Sequence, residues 1–126
     1  MPVPSDPHLP QAAAIDAYGK GGFRFAGMSH RGSLLCLPDG IWPCPVTRPQ
    51  DIDAASLALV LAAEPRIDHC LIGAGRDPWL LPRDLAAHFA ERGIAVEAMT
   101  TGAAVRTYNI LMGERRRVAA LLIAVD

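Results

Sequence analysis

Residues 118–125, Val-Ala-Ala-Leu-Leu-Ile-Ala-Val, are apolar at every position. A strand with one wet face alternates apolar and polar side chains, whereas a strand that is apolar throughout must be covered on both faces. At eight residues the run falls far short of the roughly 20 that a membrane-spanning helix needs. It reads as the central strand of a sheet, with a neighbour on each side and a layer above and below. That requirement constrains the rest of the chain, which has to supply those neighbours and both layers.

The second half of the sequence supplies them in alternation. His69–Ile72 is a short apolar run and Ile94–Met99 a second strand. Between them Leu85, Ala86 and Phe89 mark a helix that opens at Pro82 and closes at Arg92 and Gly93. Thr100 or Thr101 caps a final helix over about residues 102–116. Strand, helix, strand, helix, strand is the pattern of βαβ crossovers with parallel pairing.

The first half reads as antiparallel. Ile15–Tyr18 is a short edge strand, and Phe23–Phe25 and Ser33–Leu37 form a hairpin turning near Gly27–Ser29. Ile41–Pro49, with three prolines, reads as a loop anchored by Trp42. Asp51 or Asp53 caps a helix over about 53–63, whose apolar face is Leu57, Val60 and Leu61, with Pro65 just beyond. The sum is an α/β domain: a mixed central sheet, an N-terminal antiparallel hairpin and about three helices.

Composition bounds the function. The chain has 126 residues, 51% of them hydrophobic, with a mean hydropathy of +0.20. This is material for one packed domain and too apolar for a disordered chain. With 12 basic and 13 acidic residues the net charge is −1, which argues against nucleic acid as a partner. Cys36, Cys44 and Cys70 contain no CxxC pair, and none of the four histidines has zinc-ligand spacing, so no metal and no cofactor are expected. Residues 1–11, with four prolines, read as a flexible tail ahead of a single domain over 12–126. The start has neither a basic n-region nor an apolar h-region, and the expected setting is cytoplasmic.

Candidate site residues come from the carboxyl ends of the predicted parallel strands. Gly73-Ala74-Gly75-Arg76-Asp77-Pro78 follows a strand as a dinucleotide fingerprint does, but Pro78 stands where the third glycine belongs. Its simpler reading is a turn needing positive φ or close backbone approach. If the strands are parallel, Gly73, Gly75, Arg76, Thr100 and Thr101 rim one crevice, with Arg106 in the first turns of the final helix able to reach an anion. Tyr108 and Asn109 are polar groups in an apolar helix and are expected in a structural hydrogen-bond network. Glu114 and Arg117 could pair at the helix end. No catalytic residue is identified, since no serine, cysteine or histidine has an activating context.

Several segments carry a resemblance. They are Tyr18–Phe25, Gly32-Ser33, Leu71-Ile72-Gly73-x-Gly75 and above all Met99–Val118 with its Arg106-Thr107-Tyr108-Asn109 core. Over about residues 15–125 the chain resembles the Mth938-like domain family (DUF498), a domain of unknown function that includes a mitochondrial complex I assembly factor. The resemblance implies a three-layer α/β fold and establishes no catalytic residues. It implies a non-catalytic interaction module with protein partners, peripheral association with a respiratory membrane complex, and a monomer or weak homo-oligomer. The alternative is a small-ligand or anion-binding protein, or an enzyme, using the crevice at Gly75, Thr101 and Arg106. Ala74 stands where many relatives carry threonine in a Gly-Thr-Gly turn.

Overall fold

The computed structural model describes residues 6–126. Five strands form a mixed sheet: β4 (Ser33–Leu37), β5 (Gly40–Cys44), β6 (His69–Gly73), β7 (Ala95–Met99) and β8 (Val118–Leu122), in the order β5-β4-β8-β6-β7. As its composition requires, β8 lies in the middle, antiparallel to β4 and parallel to β6. Its side chains divide between two cores. Val118, Ala120 and Leu122 join one, Ala119 and Leu121 the other together with Ile123 just beyond the strand, and all six are buried.

The first core lies under α1 (Ala58–Ala62) and α2 (Arg83–Glu91), with Trp42, Leu57, Ile67 and Phe89 as its bulk. The second lies under α3 (Thr101–Gly113) and a separate three-stranded antiparallel sheet of β1 (Ala17–Gly19), β2 (Gly22–Phe25) and β3 (Met28–Arg31). Phe23 and Phe25 point into it from β2 and Tyr108 from α3. These are the three layers, with helices on opposite faces of the larger sheet.

Three readings of the sequence need correction. The hairpin over 23–37 does not exist, because β2 turns at Ala26-Gly27 and pairs with β3, while β4 belongs to the other sheet. Ala26 and Gly27 have φ of 50° and 74°, the backbone that matches tight hairpins to strand twist. Met28-Ser29-His30-Arg31 has too little apolar alternation to announce a strand. The loop over 41–49 begins as strand β5. Pro43 is tolerated there because β5 is the outermost strand of its sheet. The helix over 53–63 shrinks to α1. Asp53 instead caps a turn, its Oδ1 accepting from the Ser56 N–H at 2.8 Å while Ser56 Oγ accepts from the Asp53 N–H at 3.0 Å.

The tail also differs from expectation. Residues 1–5 lie outside the described residues, but residues 8 and 9 are docked: the His8 and Leu9 N–H groups donate to Ile41 O, and Ile41 N–H donates to Leu9 O. Leu9 thus covers the free edge of β5, which would otherwise be open to pairing. The His8 ring meets Phe25 edge-on at 6.0 Å and His30 at 5.3 Å.

Burial, together with the nearby His8, lowers the His30 pKa below the ordinary 6.5, partly offset by the Ser33 carbonyl. The folded protein therefore binds a proton at His30 less readily than the unfolded chain. Stability should fall as pH drops below about 6.5 and level off beneath the lowered value. Melting curves between pH 5 and 8 test this, and His30→Asn should flatten the acid limb.

Candidate functional site

Strands β6 and β7 are parallel with Gly73 opposite Met99, so their carboxyl ends share one edge of the sheet. From that edge the chain leaves β6 toward α2 on one face and β7 toward α3 on the other, the arrangement that opens a crevice in α/β sheets. A cavity of about 370 Å³ lies here, bordered by Gly75, Arg76, Thr100 and Arg106 together with Tyr18 and Gly102. Four of the six proposed ligand residues therefore do meet around one space.

The other two are interior. Thr101 is fully buried. Its Oγ1 accepts from the Gly75 N–H at 3.0 Å and donates to Ile123 O at 2.7 Å. Its own N–H donates to Gly75 O at 2.9 Å. All this capacity is spent on holding the β6 loop, the start of α3 and the end of β8 together. Gly73 serves close approach: a Cβ there would lie 3.0 Å from Thr101 Cα and 3.1 Å from both the Ala104 Cβ and Leu122 Cδ2. Gly75, with φ +100° and nothing near its would-be Cβ, serves the turn instead. Gly73→Ala should cost about 1–3 kcal/mol through overpacking, measurable by denaturant titration, whereas a substitution at Gly75 is strained by its backbone alone.

The helix end is less open to an anion than its position in the sequence implies. Thr100 caps α3, its Oγ1 accepting from Ala103 N–H at 3.4 Å. The Tyr18 hydroxyl lies over Gly102, where an added Cβ would come within 2.4 Å of it. Arg76 donates to the backbone oxygen of Asp126, leaving Arg106, which is exposed and has no ion pair among the described residues, as the free cation of the crevice. Sequence patterning could not announce Tyr18 or Asp126, because each arrives from a part of the chain distant from β6, β7 and the start of α3; Gly102 stands beside Thr101 but carries no side chain to mark it.

One helical turn further, α3 holds the segment ahead of β1. Asn109 Oδ1 accepts from the Ile15 N–H and its Nδ2 donates to Ile15 O, both at 2.9 Å. Tyr108 OH donates to Ala13 O at 3.2 Å. Burial, with Cys36 close by, raises the Tyr108 pKa above the ordinary tyrosine value. Burial likewise pushes the Cys36 and Cys70 thiols up to about 12, so none of these groups is poised to exchange a proton or attack at neutral pH. The predicted Glu114–Arg117 pair does not form. Arg117 donates to the Pro65 and Arg66 carbonyl oxygens instead. No group of three or more His, Cys, Asp or Glu among the described residues could hold a metal ion.

Comparison with known proteins follows the same lines. A family model described as a protein of unknown function (DUF498/DUF598) matches residues 15–123. The mouse NADH dehydrogenase (ubiquinone) 1 alpha subcomplex assembly factor 3 is 36% identical over 115 residues, which make up 91% of this chain and 62% of that protein. The chain thus spans about three fifths of that relative's length. The crystal structure of an outer membrane protein from Bartonella henselae matches with a TM-score of 0.90 at 48% identity, covering 94% of this chain and 100% of that one. A Mth938-like domain from Bordetella pertussis matches with a TM-score of 0.73 at 33% identity, covering 98% and 92%. The two-core layering and the crevice edge lie within the matched residues, and the chain belongs to the DUF498/DUF598 family, with the Mth938-like fold.

Proposed function

We propose that the chain is a non-catalytic interaction module that assists biogenesis of a respiratory membrane complex, complex I. The observation that carries this is the extent of the match to the mouse assembly factor, 91% of this chain. The match takes in nearly all of this chain and 62% of the mouse protein, and the family model spans residues 15–123, which hold both cores. No helix among the described residues is long and apolar enough to cross a membrane. On this reading the protein works in the cytoplasm as a monomer or weak homo-oligomer, peripherally associated with the membrane complex through protein partners. Deleting its gene from the host should lower membrane NADH:ubiquinone oxidoreductase activity and the amount of assembled complex on native gels. Unchanged levels of both would refute the reading.

A second reading rests on Arg106, the free cation beside the 370 Å³ cavity, which Asp126 also borders: a small anion binds there. Sulfate or phosphate should then raise the melting temperature, and Arg106→Ala should abolish the response without unfolding the protein. No shift with any anion would remove this reading and leave the first untouched.

A further inference from the structure

The two faces of the three-stranded sheet differ sharply. Pairing sets Tyr18 opposite Phe23, Phe23 opposite His30, and Phe25 opposite Met28, and these side chains share one face, with Phe23 and Phe25 buried in the second core. The alternate positions, Ala17, Gly19, Gly22, Arg24, Ser29 and Arg31, face the other way. Four of these six are small: Gly19 has open space where a Cβ would lie, while Gly22 lies close against the His30 carbonyl, and a concavity of about 460 Å³ borders all six.

The charge on this face is of one sign. Arg24 and Arg31 stand on neighbouring strands two register positions apart, with Lys20 at the turn between β1 and β2. All three are exposed, and all border the concavity, which no Asp or Glu borders. None is in an ion pair among the described residues. Like charges that close on a sheet repel one another. The chain as a whole carries −1, so this cluster is a local departure that an external anionic group would neutralise. Three cations are too few to hold a nucleic acid firmly at physiological salt. A strand-like peptide fits better, because its alternate side chains fall on one side.

We propose that the outward face of β1–β3 is a docking surface for an acidic, extended segment of a partner protein, held by Lys20, Arg24 and Arg31. The proposal rests on the reading of the chain as an interaction module and names the chemistry of what it binds.

The probe is a fluorescein-labelled peptide of four Glu-Thr repeats, with four Gln-Thr repeats as control, added to the full chain and followed by anisotropy. The Glu-Thr peptide should bind saturably at low ionic strength and release as salt is raised, and the Gln-Thr peptide should not bind. The double variant Arg24→Glu, Arg31→Glu should weaken binding at least about tenfold. Arg115→Glu, Arg116→Glu, at the far end of α3, should leave it unchanged. Both pairs are exposed, and melting curves check that the variants remain folded. Should the charge reversal unfold the chain, Arg24→Gln, Arg31→Gln replaces it, with the same direction expected. Equal binding of the two peptides, or none, overturns the proposal. So does undiminished binding by the Arg24/Arg31 variant, or an equal loss in the Arg115/Arg116 variant. Tighter binding to an eight-nucleotide DNA strand or to phosphatidylglycerol vesicles overturns it too, by assigning the face to another class of partner. The gene deletion reads separately: a deletion phenotype that the Arg24/Arg31 variant fully complements removes this face and keeps the assembly role.

Discussion

Replacing Thr101 by valine should destabilise the protein by about 2–4 kcal/mol. The substitution keeps the shape and removes one hydroxyl. That hydroxyl accepts from the Gly75 N–H and donates to the Ile123 carbonyl, and it lies in a fully buried position. Valine therefore leaves the buried Ile123 carbonyl and the part-buried Gly75 N–H short of a partner, at about 1–3 kcal/mol for each group left unsatisfied. For a domain of this size the melting temperature should fall by roughly 10 °C. Thr101→Ser, which keeps the hydroxyl, should recover most of the loss. Thermal unfolding followed by circular dichroism decides it, and a valine variant as stable as the parent would show that the hydroxyl is dispensable at this junction.

Asn109→Leu should have an effect of the same order, about 2–4 kcal/mol, by a different route. Its amide bonds both the N–H and the carbonyl of Ile15, 94 residues away in sequence. Leucine would leave both backbone groups unpaired in a part-buried place and loosen the segment that leads into β1. Ile15 itself is buried in the second core. Increased protease cleavage between residues 10 and 17 should therefore accompany the stability loss, whereas Thr101→Val should not open that segment. Tyr108→Phe removes the bond to Ala13 O and a weak hydrogen bond with the Cys36 thiol and should cost about 1–2 kcal/mol.

The parallel half of the fold was legible because local patterns there are strong. A short, wholly apolar run rich in aliphatic residues fits an interior strand, and Val118–Leu122 is one. Gly93 takes the left-handed backbone, at φ +70°, that its place after a helix suggests. Thr100 caps where a threonine after a strand should. The register of β6 on β7 then brings Gly75, Arg76, Thr100 and Arg106 to one edge. Gly73 and Thr101 show the limit of such reasoning. Their residue types suit a ligand site and a helix junction equally well, and what separates the two is packing at 3.0–3.1 Å and hydrogen bonds to segments 22 and 26 residues away.

The antiparallel half depended on tertiary structure for a physical reason. Whether Ser33–Leu37 pairs with β2 or with β8 is a choice among partners of similar local propensity, settled by which faces can be buried together. Leu34 and Cys36 face one core and Leu35 and Leu37 the other, so β4 needs a layer on each side and can only lie within the larger sheet. Strand β3, polar and edge-like, is left to complete the smaller one. The alternation of small and cationic residues on the outward face of β1–β3 was written in the sequence throughout. It became a surface only once Phe23 and Phe25 had turned inward and fixed which side faces water.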